Sequence, residues 1–143
     1  SKLFFRDEGG WGGDRGPIDK VEFPDREPDH IVSYQTRADQ ALLYRLNGDR
    51  NPLHSDPAFA ALGGFPKPIL HGLCTYGFTG RGLVHLVCDS NPDLFKSMDG
   101  RFSSPVIPGE SLEIRIWEDQ GVYKFRTLAG DRVVLDNGIM ATR

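Results

Sequence analysis

Gly72-Leu73-Cys74-Thr75-Tyr76-Gly77-Phe78-Thr79-Gly80-Arg81-Gly82-Leu83-Val84-His85-Leu86-Val87-Cys88 carries the strongest helical pattern in the chain, and its reading decides the fold. Leu73, Tyr76, Gly80, Leu83, Val84 and Val87 recur at spacings of three and four, which predicts one apolar helix face, and Gly77 and Gly80 permit close approach of a neighbour. A mostly apolar helix with small residues has to be wrapped by other elements. The sequence that follows supplies a sheet: Met98 to Val106 alternates, Pro108-Gly109 makes a turn, and Ser111 to Glu118 puts Leu112, Ile114 and Ile116 on one face. Gln120-Gly121 then turns into Val122 to Leu128, and Gly130-Asp131 into Arg132 to Ala141. Four strands joined by tight turns predict an antiparallel sheet of consecutive hairpins.

Upstream of the long helix, His30 to Gln35 alternates as a short strand. Thr36, with Asp39 three residues on, resembles a helix start, and Ala38, Ala41, Leu42 and Arg45 predict a helix from about Arg37 to Leu46. Asn47-Gly48 ends it. Asp56-Pro57 reads as an N-cap followed by proline in the first turn of a short helix through Ala58 to Leu62, closed by Gly63-Gly64. Pro66 and Pro68 keep the chain extended up to His71. The whole reads as a single α+β domain over residues 29–143, with no internal repeat. Residues 1–28 hold Gly9, Gly10, Gly12, Gly13, Gly16, Pro17, Pro24 and Pro28 and read as a connector, with Trp11 as a ring that docks on another surface. The glycines lack the Gly-Lys-Ser/Thr ending and the strand and helix that a phosphate loop needs.

A chain of 143 residues can bury roughly two-thirds of its unfolded surface around one core. With 26% charged and 38% apolar residues it has the balance of a globular domain rather than a disordered one. Net charge is −3, and 17 Lys and Arg are scattered among 20 acids without a basic stripe, so no nucleic-acid partner is expected. The longest apolar-leaning run, Leu83 to Cys88, is too short to span a bilayer, and no signal-peptide core opens the sequence; a cytoplasmic protein without a membrane partner is expected. The absence of an initiator Met reads as a processed or excised piece. Cys74 and Cys88, roughly 21 Å apart on one helix at about 1.5 Å per residue, cannot form a disulfide and read as buried free thiols.

The chemistry concentrates in Gly48-Asp49-Arg50-Asn51-Pro52-Leu53-His54 and in Pro68-Ile69-Leu70-His71-Gly72. Adding water across a double bond conjugated to a thioester needs a base, an acid and donors for the developing enolate oxygen. Asp49 and His54 can supply the first two; the N–H of Gly72, at a helix N-terminus, can supply the third; Asn51 can orient water or a partner by donating and accepting at once. Each group also has a plainer use, since Asp49 could stabilise a turn, His54 could be a satisfied loop histidine, and His71 could cap or pack. His54, His71 and His85 lack a familiar metal-ligand spacing, so no metal is expected. Arg101 reads as a solvated strand residue before a phosphate contact.

The run Gly48 to Ala60, with Asp49, Asn51, His54, Asp56 and Pro57, resembles the signature of the MaoC-like (R)-specific enoyl-CoA hydratases, and continues into Phe65-Pro66-Lys67-Pro68-Ile69-Leu70-His71-Gly72-Leu73. Arg101-Phe102-Ser103-Ser104-Pro105-Val106-Ile107-Pro108-Gly109-Glu110 is similar to the same family's strand-and-turn segment, and together these cover roughly residues 30 to 140. The resemblance implies a hot-dog fold, an antiparallel sheet wrapped around a long central helix. It also implies reversible syn hydration of (2E)-enoyl-CoA to (3R)-3-hydroxyacyl-CoA in fatty acid metabolism, a hydro-lyase reaction with the thioester of CoA or a carrier as substrate and no cofactor. Asp49 and His54 fall on the family's acid and base, Asn51 on its assisting asparagine and Gly72 on its oxyanion donor. Glu8 to Pro17 is similar to the connector before the second repeat of two-repeat members, such as the hydratase part of peroxisomal multifunctional enzyme type 2. The expected partner is therefore an N-terminal hot-dog repeat or a second copy in a homodimer. A hot-dog thioesterase and a non-catalytic acyl-thioester-binding subunit are the alternatives.

Overall fold

A computed structural model of the chain describes residues 9, 10, 12 and 20–143. The expectation for Trp11 lies outside the described residues. Five strands, β1 (His30–Gln35), β2 (Phe95–Phe102), β3 (Ser111–Asp119), β4 (Val122–Ala129) and β5 (Arg132–Thr142), form one antiparallel sheet in the order β1-β3-β4-β5-β2. Three α-helices accompany it: α1 (Gln40–Tyr44), α2 (Pro57–Leu62) and α3 (Gly72–Val87), the last packed across the sheet. This is the expected α+β hot-dog arrangement.

The sheet's inner face follows the alternation in sequence. Leu112, Ile114 and Ile116 of β3 are fully buried with Phe125, Leu135 and Met140, and Leu83 and Cys88 reach them from α3 and its end. A second cluster of Ala41, Leu70, Cys74, Val106, Leu112, Ala129 and Val134 lies under the loop that precedes α3. Both cysteines are buried free thiols, as expected. The β3–β4 hairpin turns at Gln120 and Gly121, both at positive φ, and the β4–β5 hairpin turns at Gly130.

The expectation of four strands joined by consecutive hairpins needs correction. The segment after β2 crosses the sheet, so β2 pairs with β5 and not with β3, and the Pro108-Gly109 turn lies inside that crossing. β2 also begins at Phe95 rather than Met98, because an edge strand pairs on one side only and tolerates the polar run Lys96, Ser97, Asp99 and Arg101.

The buried face of α3 is also displaced from the predicted one. Cys74, Thr75, Thr79, Gly82 and Leu83 face the protein interior, whereas Leu73 is 64% exposed. The close approach comes at Gly82, where a Cβ would meet Val32 at 3.1 Å and Ile114 at 3.5 Å. Threonine suits that face because its hydroxyls pair: Thr79 Oγ1 donates to the Thr75 carbonyl at 3.0 Å and meets Thr127 Oγ1 at 2.6 Å.

α1 starts three residues later than predicted. Thr36 does not cap it but turns back to β3, its hydroxyl donating to the Glu110 carbonyl at 2.6 Å. A 3-10 turn over Arg45–Asn47 continues α1 to Gly48, whose φ of 113° makes the expected exit. On the other side of the sheet, residues 22–29 lie along β3 and β4. The Phe23 ring sits edge-on to Trp117 at 5.3 Å with the Arg126 guanidinium 3.9 Å from its centroid, and Trp117 Nε1 donates to the Arg26 carbonyl at 2.9 Å.

Candidate active site

Leaving α1 through Gly48, the chain makes two nested side-chain turns. The Asn51 N–H donates to Asp49 Oδ1 at 3.2 Å, and Asn51 Oδ1 in turn accepts from the Leu53 N–H at 3.0 Å, starting a 3-10 turn over Pro52–His54. Two residues on, Asp56 Oδ1 accepts from Ala58 N–H at 2.8 Å and Phe59 N–H at 3.2 Å and caps α2 as predicted. The bend that carries Asp49 and His54 is thus tied at both ends. Asn51 spends its oxygen on this loop, and among the described residues its amide N–H groups have no partner.

His54 Nδ1 lies 2.7 Å from the Ile69 carbonyl oxygen. A carbonyl can only accept, so Nδ1 carries a proton, and in the neutral ring Nε2 is the nitrogen that presents a lone pair. The Ile69 N–H returns a bond to the Leu53 carbonyl at 3.4 Å, which joins the bend to the segment leading into α3. His71, the residue before α3, reaches back with Nε2–H to the main-chain carbonyl of Asp49 at 3.1 Å. The His54 and His71 rings stack, centroids 3.7 Å apart and planes at 27°, and the Tyr44 ring stands 4.7 Å from His71.

These contacts bring a carboxylate oxygen of Asp49 and a ring nitrogen from each histidine within 4.8 Å of one another. Asp49 is exposed, His54 half-buried and His71 buried. The set has the residue types of a metal site, but the face-to-face rings run their in-plane lone pairs side by side instead of converging them on one ion. A proton-transfer cluster fits this geometry better. His85, weighed as a ligand from the sequence, is elsewhere and pairs with Ser90 Oγ at 2.9 Å.

Gly72 follows His71 directly, and among the described residues its N–H has no backbone partner, as the first turn of a helix requires. Its missing side chain makes room for a ring: a Cβ there would meet Phe102 at 3.2 Å. Burial pushes the His71 imidazole below its ordinary range, against the pull of its bond to the Asp49 carbonyl, with the nearby His54 lowering it further. Burial likewise raises the Tyr44 phenol and the Cys74 thiol.

The structure brings Asp49, Asn51, His54 and Gly72, all singled out in sequence, to one corner at the N-terminus of α3. What sequence reasoning missed is how His71 and the Ile69 carbonyl bind that corner together. His71 itself was in view, within Pro68 to Gly72, but nothing in the sequence showed what its ring would meet. Arg101 is exposed on β2, opposite Asp136 of β5.

Residues 19–136 match the MaoC like domain. The chain is 54% identical over 145 residues to 3-hydroxyacyl-thioester dehydratase Y of Mycobacterium tuberculosis, covering 95% of this chain and 50% of that protein. It is 45% identical to the probable enoyl-CoA hydratase 2 of Dictyostelium discoideum, over 96% of this chain and 49% of the relative. The structure of full-length peroxisomal multifunctional enzyme type 2 from Drosophila melanogaster superimposes with a TM-score of 0.84 at 44% identity, over 92% of this chain and 25% of that one. The chain therefore spans about half the length of these two relatives or less of larger ones. Among the described residues, no helix is long and apolar enough to cross a membrane. With its fold and its sequence in agreement over almost all of its length, this chain belongs to the MaoC-like family of hot-dog dehydratases.

Proposed function

We propose that the chain catalyses the reversible syn addition of water to a (2E)-enoyl thioester, giving the (3R)-3-hydroxyacyl thioester, with CoA as the carrier. The observation that carries this reading is the His54 imidazole, held by its Nδ1–H on the Ile69 carbonyl, with a ring nitrogen within 4.8 Å of an Asp49 carboxylate oxygen close to the N-terminus of α3. In hydration the water oxygen bonds to C3 while one of the pair takes its proton. That proton, passed within the pair, is then delivered to C2, so the elements of one water are added and both groups end as they began. Because Asp49 and His54 stand on one bend, the oxygen and the proton add to one face of the alkene. The Gly72 N–H and the positive end of α3 stabilise the enolate oxygen that forms between the steps. Asn51, with its amide N–H groups turned from no other partner, holds the water. The names of the two relatives at 54% and 45% identity, a 3-hydroxyacyl-thioester dehydratase and an enoyl-CoA hydratase, support the same chemistry.

A crotonyl-CoA absorbance assay with a thiol reagent tests the reading. Wild type loses enoyl absorbance without releasing CoA, and Asp49→Asn and His54→Gln each slow this by about 10² to 10⁴-fold. Thiol release would favour a thioesterase, and full activity in both variants would remove Asp49 and His54 from the mechanism.

The partner we infer is a second hot-dog repeat. An apolar groove of about 320 Å³, lined by Tyr76, Gly77, Gly80, Val84, Phe95 and Met98, lies open along α3, and the relatives are about twice as long as this chain. Light scattering of the full-length native protein is expected to give a particle of at least two repeats; a stable single-repeat particle would refute the inference.

A further inference from the structure

His71 is only 1% exposed, yet its Nδ1 has no hydrogen-bond partner among the described residues. An unpaired buried nitrogen is costly, so its retention calls for a use. Two contacts supply one. Nε2–H holds the backbone of Asp49 at 3.1 Å, across 22 residues of sequence, and the ring face lies 3.7 Å from that of His54. One side chain thus restrains both the residue that bears the carboxylate and the plane of the imidazole that works with it.

We propose that His71 is a positioning residue for the Asp49–His54 pair, acting through this hydrogen bond and this ring stack and exchanging no proton with substrate. The inference rests on the hydration reading above. Histidine alone among residues of this size combines both contacts: phenylalanine would keep the ring without the donor, and glutamine a donor without the ring. Neutrality follows from the surroundings. Nε2 already carries the proton, and a second one on Nδ1 would put an unpaired N–H and a charge in the interior, against His54 and Arg45, with only Asp49 to offset it and Tyr44 alongside. A neutral neighbour lets His54 gain and lose charge without repulsion from the ring stacked on it.

The test uses the full-length protein with crotonyl-CoA as substrate, measuring kcat and KM separately for His71→Phe and His71→Gln. Each variant lowers kcat by roughly 10-fold or more, since sub-ångström misplacement of reacting groups has effects of that order, while KM stays within about threefold. Both limbs of the pH profile of kcat/KM persist in His71→Phe. In nitrogen-edited spectra the His54 Nδ1 proton exchanges with solvent at least about tenfold faster in His71→Gln than in wild type, which a purely structural role would not produce. Unchanged kcat in both variants, even with lowered melting temperatures, would overturn the proposal; so would loss of a limb, which would make His71 a proton donor. Asp49→Asn and His54→Gln run beside them keep the two readings apart. If those remain fully active the hydration reading fails, and if they are inactive while the His71 variants are not, only the positioning role fails.

Discussion

The two buried threonines that join α3 to β4 give a sharp test of which helix face is inside. Thr79 and Thr127 are both fully buried, and each hydroxyl has one proton. Thr79 gives its proton to the Thr75 carbonyl, which can only accept, so Thr127 must be the donor across the 2.6 Å contact to Thr79. The two replacements by valine are therefore unequal. Thr127→Val removes a donor but leaves the Thr79 proton paired, losing one neutral hydrogen bond at about 1 kcal/mol. Thr79→Val strands the Thr127 O–H in the interior, at about 2 to 3 kcal/mol. In the double variant nothing is stranded, and the loss returns to about 1 kcal/mol, so the cycle shows a coupling of about 2 to 3 kcal/mol in favour of the double replacement. Urea unfolding of the four proteins, at unchanged m, measures each term. Additive losses, or a Thr127→Val loss as large as that of Thr79→Val, would refute both the donor assignment and the inward orientation of this stripe.

Further outcomes follow from single positions. His71 holds a proton less tightly in the folded state than in the unfolded chain, whose ordinary value is 6.5, so its stabilising contribution is present above pH 6.5 and is lost as pH falls below it. Wild type loses up to about 1.4 kcal/mol more than His71→Phe per pH unit of acidification there; urea titrations at pH 7.5 and 5.5 with equal acid losses would contradict this. Asp56→Ala removes both cap bonds of α2 and costs about 1 kcal/mol by the same method, with Asp56→Asn costing less. Gly138→Ala puts a Cβ into the Phe125 carbonyl and ring at the β5 irregularity, where Asn137 already has a φ of 52°, and costs about 1 to 3 kcal/mol; an unchanged melting temperature would mean the strands pair in another register.

Local signals in the sequence survived into the structure, and signals that needed distant partners did not. Leu112, Ile114 and Ile116 alternate because one face of β3 is buried, and Asp56-Pro57 and Gly48 bound helices through contacts a few residues away. The same locality made Asp49, Asn51 and His54 legible as one loop. β2 was misplaced because its pairing with β5 is set some forty residues downstream, and the alternation read from Met98 onward does not follow the burial of the strand, which is partial at Phe95, Met98 and Gly100 only. The inner face of α3 was misread because the helix is apolar on most of its circumference; Thr79 looks like a surface residue until its hydroxyl finds the Thr75 carbonyl and Thr127. His71 was visible, but the stack on His54 closes a loop of residues that no periodicity encodes.

The oxygen that selects the tautomer of His54 belongs to the main chain of Ile69. Every residue has that oxygen, so swapping the side chain at this position leaves the control of the imidazole in place, and the residue is free to drift. Alanine scanning would pass over the contact. Replacing the peptide carbonyl itself, by semisynthesis with a thioamide at Ile69, would reveal it.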